Sequence, residues 1–285
     1  MKVIKTKDEM RRIVRQAKAA GKMVGIVPTM GYFHDGHLEL MRRARAECDV
    51  AVVTLFVNPT QFAPGEDLEA YPRDMERDTE MAESIGVDYI FAPSVDEMYP
   101  GGLEGSGTLV QVEGLSSVMC GCSRPTHFRG VTTVVSKLFN IVPAQKAYFG
   151  QKDAQQLAVI RRMAADLDFP VDIIGVPTVR EPDGLAMSSR NMYLAPVERD
   201  QAVILFKALQ AARGLIESGA RNARSIEESM EKVFSGAPLV DVEYIAICDN
   251  IYLRPLEILS GEILIAVAAR VGRSRLIDNM QLKIE

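Results

Sequence analysis

A chain of 285 residues with 47% hydrophobic side chains is long enough to bury one large core or two modest ones. Charged residues make up 25% and the formal net charge is −5, which argues against a dedicated nucleic-acid binder, since those present a basic face or a basic total. No apolar run approaches the roughly 18 residues of a membrane span, and the charged opening "MKVIKTKDEMRRIVRQAKAAGK" is unlike the hydrophobic region of a signal peptide. Cys48, Cys120, Cys122 and Cys248 suggest neither a disulfide framework nor a zinc site, so a reduced, cytoplasmic setting is expected.

In chain order, the first element is a helix announced by a capping box of Thr6 and Glu9, with Gly21 as its left-handed stop. "MVGIVPT" (23–29) reads as a buried strand, and "GHLELMRRARAE" as a helix with Leu38, Met41 and Ala44 or Arg45 at helical spacing. "DVAVVTLFVNP" (49–59) is a β-branched run ended by Asn-Pro, the signature of a central parallel strand. A helix over 73–86 and a strand over 87–93 follow. Between 94 and 123 only "TLVQVEG" suggests a strand. Val131, Val134, Val135, Leu138 and Ile141 fall on one face and predict a helix over 130–142. Next come a strand (146–150), a helix (153–167) with Asp153 as N-cap and Gln156 three residues on, and a strand (171–179).

This alternation predicts an α/β fold, a Rossmann-like doubly wound parallel sheet over residues 1–179. Beyond a turn at "EPDG", the spacing predicts a long helix from Pro196 to about Ser218, a helix over 225–235, and strands at 240–247 and 262–271. That is a smaller α+β domain, residues 180–285.

The chemistry concentrates in "VPTMGYFHDGHLEL" (27–40), where His34 and His37 are two of only three histidines. They fall where a strand ends and a helix begins, and ligands of such sheets bind beyond the carboxyl ends of the strands. A helix N-terminus attracts phosphate and disfavours imidazolium, so a histidine there stays neutral until an anion arrives. Gly31 and Gly36 remove side chains where a base or a phosphate must approach the backbone. On these residues alone a chance surface pair, or one histidine serving as a cap, remains the alternative.

H-x-G-H after a strand resembles the "HIGH" signature of nucleotidylyl-transferring enzymes and class I aminoacyl-tRNA synthetases. More narrowly, "VPTMGYFHDGHLEL", "FVNPTQF", "SRPTHFRGV", "KLFNIV", "YFGQKDAQQL" and "DGLAMSSRN", in this order and spacing, resemble the pantoate–β-alanine ligase family. The resemblance spans nearly the whole chain and is strongest from residue 23 to 195. It implies ATP-dependent condensation of pantoate with β-alanine through a pantoyl adenylate, releasing AMP and pyrophosphate.

The resemblance also implies roles. His34 and His37 would contact the ATP phosphates, with His37 as proton donor. Gly150, Gln151, Lys152 and Asp153 would form a phosphate loop, and Ser188, Ser189 and Arg190 the counterpart of the synthetases' "KMSKS" loop. Met30, Val179 and Met187 would border the adenine, near Gly31 and Gly36. Gln61 and Gln155 would bind pantoate, while Arg124 and His127 would approach the β-alanine or phosphate region. ATP would react as its Mg2+ complex, with Asp78 near the metal, although Asp74 and Asp78 at i,i+4 read more simply as a solvated helix face. The partners implied are pantoate, β-alanine, ATP and a second copy of the chain, with no nucleic acid and no membrane. Tyr32-Phe33 departs from the usual single small or aliphatic residue before the first histidine, and Cys120 and Cys122 match no role. Another HIGH-motif adenylyltransferase is the alternative; a tRNA synthetase-like module and a non-catalytic nucleotide-binding regulator are more distant ones.

Overall fold

The computed structural model describes residues 1–103 and 107–285. The chain opens with β1 (Lys2–Ile4) and α1 (Lys7–Ala19), then alternates β2 (Val24–Thr29), α2 (Asp35–Glu47) and β3 (Val50–Leu55). After a 3-10 turn at Pro59–Gln61 come α3 (Met75–Ser84), β4 (Tyr89–Phe91) and two single turns, α4 (Val95–Met98) and α5 (Cys120–Ser123). Then follow α6 (His127–Ile141), β5 (Lys146–Gly150), α7 (Ala154–Asp166) and β6 (Asp172–Val176).

These six strands form one parallel sheet in the order β1-β4-β3-β2-β5-β6. Both faces are covered, as the β-branched runs require. Val24, Ile26, Val50 and Val52 point into a core shared with α1, α6 and α7. Val27, Ala51 and Val53 alternate to the other side, against Leu38, Met41 and Ala44 of α2 and Ala82 of α3. The winding reverses at β2, from which the chain reaches β3 and β4 on one side and β5 and β6 on the other. The crevice beyond the carboxyl ends of β2 and β5 is therefore the topological switch point, where such sheets take ligands.

A 3-10 turn at Ser189–Tyr193 leads to α8 (Pro196–Ala202), α9 (Ile204–Glu217) and α10 (Ala223–Phe234). The strands β7 (Val240–Asp249), β8 (Gly261–Val271) and β9 (Ser274–Ile284) pair antiparallel in that order. Leu209, Ala212, Ile226, Met230, Ile263, Ile265 and Val267 form the core between these helices and the sheet.

Several expectations need correction. Thr6 makes no capping bond; the backbone N–H of Lys7 donates instead to Glu97 Oε1 (2.8 Å), while Gly21 is left-handed as expected (φ 73°). "TLVQVEG" is not a strand, because Val110 pairs with side chains of α6, donating to Thr133 Oγ1 and accepting from Thr132 Oγ1. The helix expected from Pro196 to about Ser218 is two helices, jointed at Val203. β1 and β9 were not foreseen. β9 hides its strand period because Asp278 and Asn279, polar and consecutive, are both buried.

Candidate active site

A cavity of about 780 Å³ opens at the switch point, between the ends of β2 and β5 on one side and the Ser189–Tyr193 turn and β8–β9 hairpin on the other. Its first wall grows out of β2. Gly31 (φ 88°) and Tyr32 (φ 52°) are both left-handed, which turns successive N–H groups the same way. Asp78 of α3 receives them: its carboxylate accepts from Tyr32 N (2.6 Å) and Phe33 N (2.7 Å). A side chain at Gly31 would meet that carboxylate at 2.9 Å, so the position needs glycine for space as well as for φ. Phe33, fully buried, anchors the loop.

His34 is the N-cap of α2, and its Nδ1 accepts from Gly36 N (3.1 Å). His37 Nδ1 accepts from His34 N (3.3 Å), closing a reciprocal capping box. Nδ1 is an acceptor in both rings, which assigns the proton of each neutral imidazole to Nε2. The rings lie 4.1 Å apart between centroids. Burial, and then Lys152, hold His34 down to about 4; burial, His34 and Lys152 hold His37 well below the usual histidine value. Both are neutral Nε2–H donors at the cavity wall.

Asp78 accordingly does something other than expected. It is 1% exposed, so the solvated-face reading fails, and it does not line the cavity. Both of its oxygens are engaged by backbone N–H groups, with Arg77 Nη1 at 3.7 Å, leaving a poor metal ligand and a good clamp for the histidine loop. Asp74 caps α3 through Arg77 N (3.1 Å). Among the described residues no cluster of three or more His, Cys, Asp or Glu side chains is arranged to hold a metal.

The second wall is the loop after β5. Asp153 caps α7 by accepting from Gln156 N (3.0 Å). Gly150, Lys152 and Asp153 line the cavity. Among the described residues the Lys152 ammonium forms no salt bridge, and burial pushes its pKa down. Asn279 of β9 donates from Nδ2 to both Gln151 O and Lys152 O (2.8 Å each). Asn279 is itself held, its N–H donating to Asp278 (2.8 Å), which pairs bidentately with Arg180 (2.6 and 2.9 Å). Gln151, expected at the nucleotide, contributes a carbonyl to this brace and does not line the cavity. Gly31 does not line it either.

The third wall is "MSSRN". Met187 N donates to Val179 O (3.0 Å), bringing these two residues together at the cavity with Met30. Ser188 Oγ accepts from Arg190 N (3.2 Å), and Ser189 Oγ lies 3.5 Å from Tyr71 Oη. The Arg190 guanidinium forks onto Asp67 (2.9 and 3.0 Å), and Tyr193 Oη donates to Ala70 O (2.8 Å). The segment 67–71 is thereby stitched to this turn.

The fourth wall holds Gln61, Arg124 and His127. Tyr99 Oη donates to Asn58 Oδ1 (2.8 Å), and Asn58 Nδ2 donates to Gln61 Oε1 (3.3 Å). That relay directs Gln61 Nε2 toward Met30 Sδ (3.0 Å) and the cavity. Arg124 pairs bidentately with Glu66 (2.7 Å twice). His127 Nδ1–H donates to Gln61 O (2.9 Å), so this ring carries the opposite tautomer to the other two; burial holds it down to about 4. Gln155, expected beside Gln61, is turned away. Its Nε2 donates to Leu115 O (2.8 Å) and Val118 O (2.7 Å), and its Oε1 accepts from Cys120 N (3.0 Å). Its neighbour Gln156, expected only to cap, reaches the cavity instead.

Residues 2–281 match the family model described as pantoate-beta-alanine ligase. A pantothenate synthetase of Heliobacterium modesticaldum is 55% identical over 284 residues, with both chains fully covered, and one of Moorella thermoacetica is 54% identical, covering 100% of this chain and 99% of its own. The chain belongs to the pantoate–β-alanine ligase family. The crystal structure of a Thermus thermophilus pantothenate synthetase superposes with a TM-score of 0.93 at 47% identity, covering 98% of this chain and 99% of the other. A Francisella tularensis pantoate–β-alanine ligase, solved in complex with beta-gamma ATP and β-alanine, gives a TM-score of 0.78 at 30% identity, covering 98% and 97%.

Several residues that complete the ligase cavity have no local signal in the sequence. Asp67 and Tyr193 are isolated polar residues, and Arg270, Arg273 and Arg275 reach the cavity only because β8 and β9 pair. Cys120 also lines it, with Sγ 3.4 Å from Arg275 Nη2, while Cys122 is exposed.

Proposed function

We propose that the cavity condenses pantoate with β-alanine in two steps, using ATP to form a pantoyl adenylate. The observation that carries this is the meeting, at the switch point, of two neutral Nε2–H imidazoles and a lysine that forms no salt bridge among the described residues. Carboxylate attack on a triphosphate brings anions together, and fixed donors in a partly dry site supply what that needs.

In the first step a pantoate carboxylate oxygen attacks the α-phosphorus and the bond to pyrophosphate breaks. His34 and His37 donate Nε2–H to phosphate oxygens, His37 to the charge that builds between the α-phosphate and the leaving group. Lys152 and Arg190 neutralise the phosphates, and the Ser188 and Ser189 hydroxyls add donors. Met30, Val179 and Met187 receive the adenine, with Gly36 and Gly150 leaving room for close approach. Gln61, fixed by Asn58, offers Nε2–H to pantoate. In the second step the β-alanine amine attacks the acyl carbon and AMP leaves; Arg124 faces the carboxylate of that substrate and His127 presents an acceptor Nε2 nearby. The complex of the Francisella tularensis relative supports both ligands in such a fold.

Mg2+ would enter with the ATP substrate and supply charge neutralisation at its phosphates, needing few ligands from the protein. Asp153 is the fitting protein oxygen: it lines the cavity and, among the described residues, forms no salt bridge. The same reading divides the chain into residues 1–179, which bind ATP and pantoate, and 180–285, which close over them. It also carries a cytoplasmic homodimer, testable by light scattering and cell fractionation; no described helix is long and apolar enough to cross a membrane.

The deciding experiment is pantoate-dependent exchange of pyrophosphate into ATP, followed by mass spectrometry of the products once β-alanine is added. Exchange with pantoate and then pantothenate plus AMP are expected. Exchange that ignores pantoate but requires a nucleotide or nucleotide-like acceptor would favour another HIGH-motif adenylyltransferase.

A further inference from the structure

The β8–β9 hairpin brings to the cavity more positive charge than its surroundings balance. The two strands meet in a two-residue turn, Gly272-Arg273, with Gly272 at φ 55°. The tip is fastened down. A Cβ at Gly272 would collide with the carboxylate of Glu198 on α8, and Ser274 Oγ donates to Arg190 O (3.3 Å). The Arg273 guanidinium lies over the Tyr193 ring, 5.0 Å from its centre. The hairpin is thus built onto the same turn that carries Ser189 and Arg190.

On this anchored scaffold Arg270 and Arg275 stand directly opposite each other in the ladder. Like charges at opposed positions are destabilising, so such a pair points to a role beyond holding the hairpin together. One carboxylate is at hand: Glu243 accepts bidentately from Arg275 (2.7 and 3.1 Å). Arg270 and Arg273 line the cavity, are exposed, and form no salt bridge among the described residues. They add to Lys152 in the same cavity, which likewise forms no salt bridge among the described residues.

Pantoate and β-alanine each bring one carboxylate, and the Gln61 and Arg124 wall faces them. The remaining anion is the diphosphate end of the nucleotide. We propose that Arg270 and Arg273 form a diphosphate-binding wall, which grips the β- and γ-phosphates of ATP and then stabilises pyrophosphate as it departs. The inference rests on the functional reading above and adds to it two residues outside the sequence motifs. Cleavage of the bond between the α-phosphorus and the bridging oxygen leaves the electron pair on that oxygen. Arginine, which stays protonated, answers this charge by bidentate hydrogen bonds and not by giving up a proton. Arg275, neutralised by Glu243, is the cross-strand neighbour of Arg270.

The test uses the full chain and its Arg270→Gln/Arg273→Gln variant, with the single Arg273→Gln variant as a milder probe. Two quantities are read: affinity for inorganic pyrophosphate by calorimetry, and KM for ATP, pantoate and β-alanine in the complete reaction. Loss of charge-assisted bonds is expected to weaken pyrophosphate binding and raise KM for ATP about tenfold or more in the double variant, with less in the single one and little change for pantoate and β-alanine. Pyrophosphate affinity and ATP KM that both stay within about twofold of the parent would overturn the proposal, as would an equal loss for all three substrates. Both arginines are exposed, so thermal midpoints should match the parent. If the parent binds pyrophosphate yet makes no pantothenate, the functional reading fails and the hairpin is still tested by binding alone.

Discussion

The wall that grows from β2 and the wall made by β5, the "MSSRN" turn and the β8–β9 hairpin face one cavity with opposite chemistry. The first is neutral: His34 and His37 are stripped of charge by burial and by Lys152, and each keeps its proton on Nε2. The second is cationic, with Lys152, Arg190, Arg270 and Arg273 carried on loops and a hairpin. The first is held by bonds among nearby residues and one clamp, Asp78. The second is held by long-range contacts: Asn279 to the Lys152 loop, Ser274 to Arg190, and Asp67 to Arg190. Local geometry sets direction and distant geometry gathers charge, and a triphosphate needs both.

The largest expected effect comes from deleting one principal donor on either wall. Lys152→Ala and His37→Ala should each lower turnover by about 10² to 10³-fold, as loss of a transition-state donor does elsewhere, the lysine variant with a thermal midpoint close to the parent's and the histidine variant with a lower one, because His34 N loses its capping acceptor. The comparison sharpens if raised salt weakens ATP use in the parent and less so in Lys152→Ala, and breaks if both variants respond alike. Next comes Asp78→Asn, which replaces a carboxylate accepting two backbone N–H groups by an amide that can accept with only one oxygen. A loss of about 1.5–3 kcal/mol in urea unfolding is expected, together with reduced turnover because the histidine loop loosens. Loss of activity with stability unchanged would show Asp78 acting on substrate and not on the loop.

Gln155→Ala should cost about 1–3 kcal/mol, because Leu115 O, Val118 O and Cys120 N would lose buried partners. Gln61→Ala, by contrast, should raise KM for pantoate with little effect on urea unfolding. Equal effects of the two on pantoate KM and none on stability would restore Gln155 to the substrate.

The remaining test is the pH dependence of the neutral wall. His34 and His127 are held down to about 4 and His37 well below 6.5, so the native state binds fewer protons than the unfolded chain, whose histidines titrate near 6.5. The stability these rings contribute is complete above 6.5 and falls as pH drops toward 4. The thermal midpoint should decline through that window, and His34→Asn, which keeps a capping side chain, should flatten the slope. Added pyrophosphate should flatten it too, because an anion favours imidazolium.

What the sequence revealed in both walls, the His34–His37 loop, the Lys152 loop and Ser188 to Arg190, lies in short continuous motifs, and what it hid depends on contacts between distant segments. His34, Gly36 and His37 lie within one turn of helix, and β2 and β3 are plain β-branched runs, so residue order alone displays them. Asp78 looked solvated because i,i+4 spacing with Asp74 says nothing about the left-handed Gly31 and Tyr32, which aim two N–H groups at it. "TLVQVEG" has strand alternation, yet Thr132 and Thr133 take its backbone bonds. β9 was hidden by Asp278 and Asn279, whose burial is explained only by Arg180 and the Lys152 loop, about a hundred residues or more away along the chain. Arg270 and Arg273 have no meaning until β8 and β9 are in register.

The single amide of Asn279 works as a tie rod. By gripping two successive carbonyls, it couples the antiparallel sheet mechanically to the loop bearing Lys152, and Arg180 tethers the incoming chain to the same strand through Asp278. Any rocking of that sheet must drag the lysine along or snap both bonds. The link at Pro177 to Val179 borders the cavity between these two anchored parts, so a change in its backbone would reach the lysine through this tie as well as through Val179 itself.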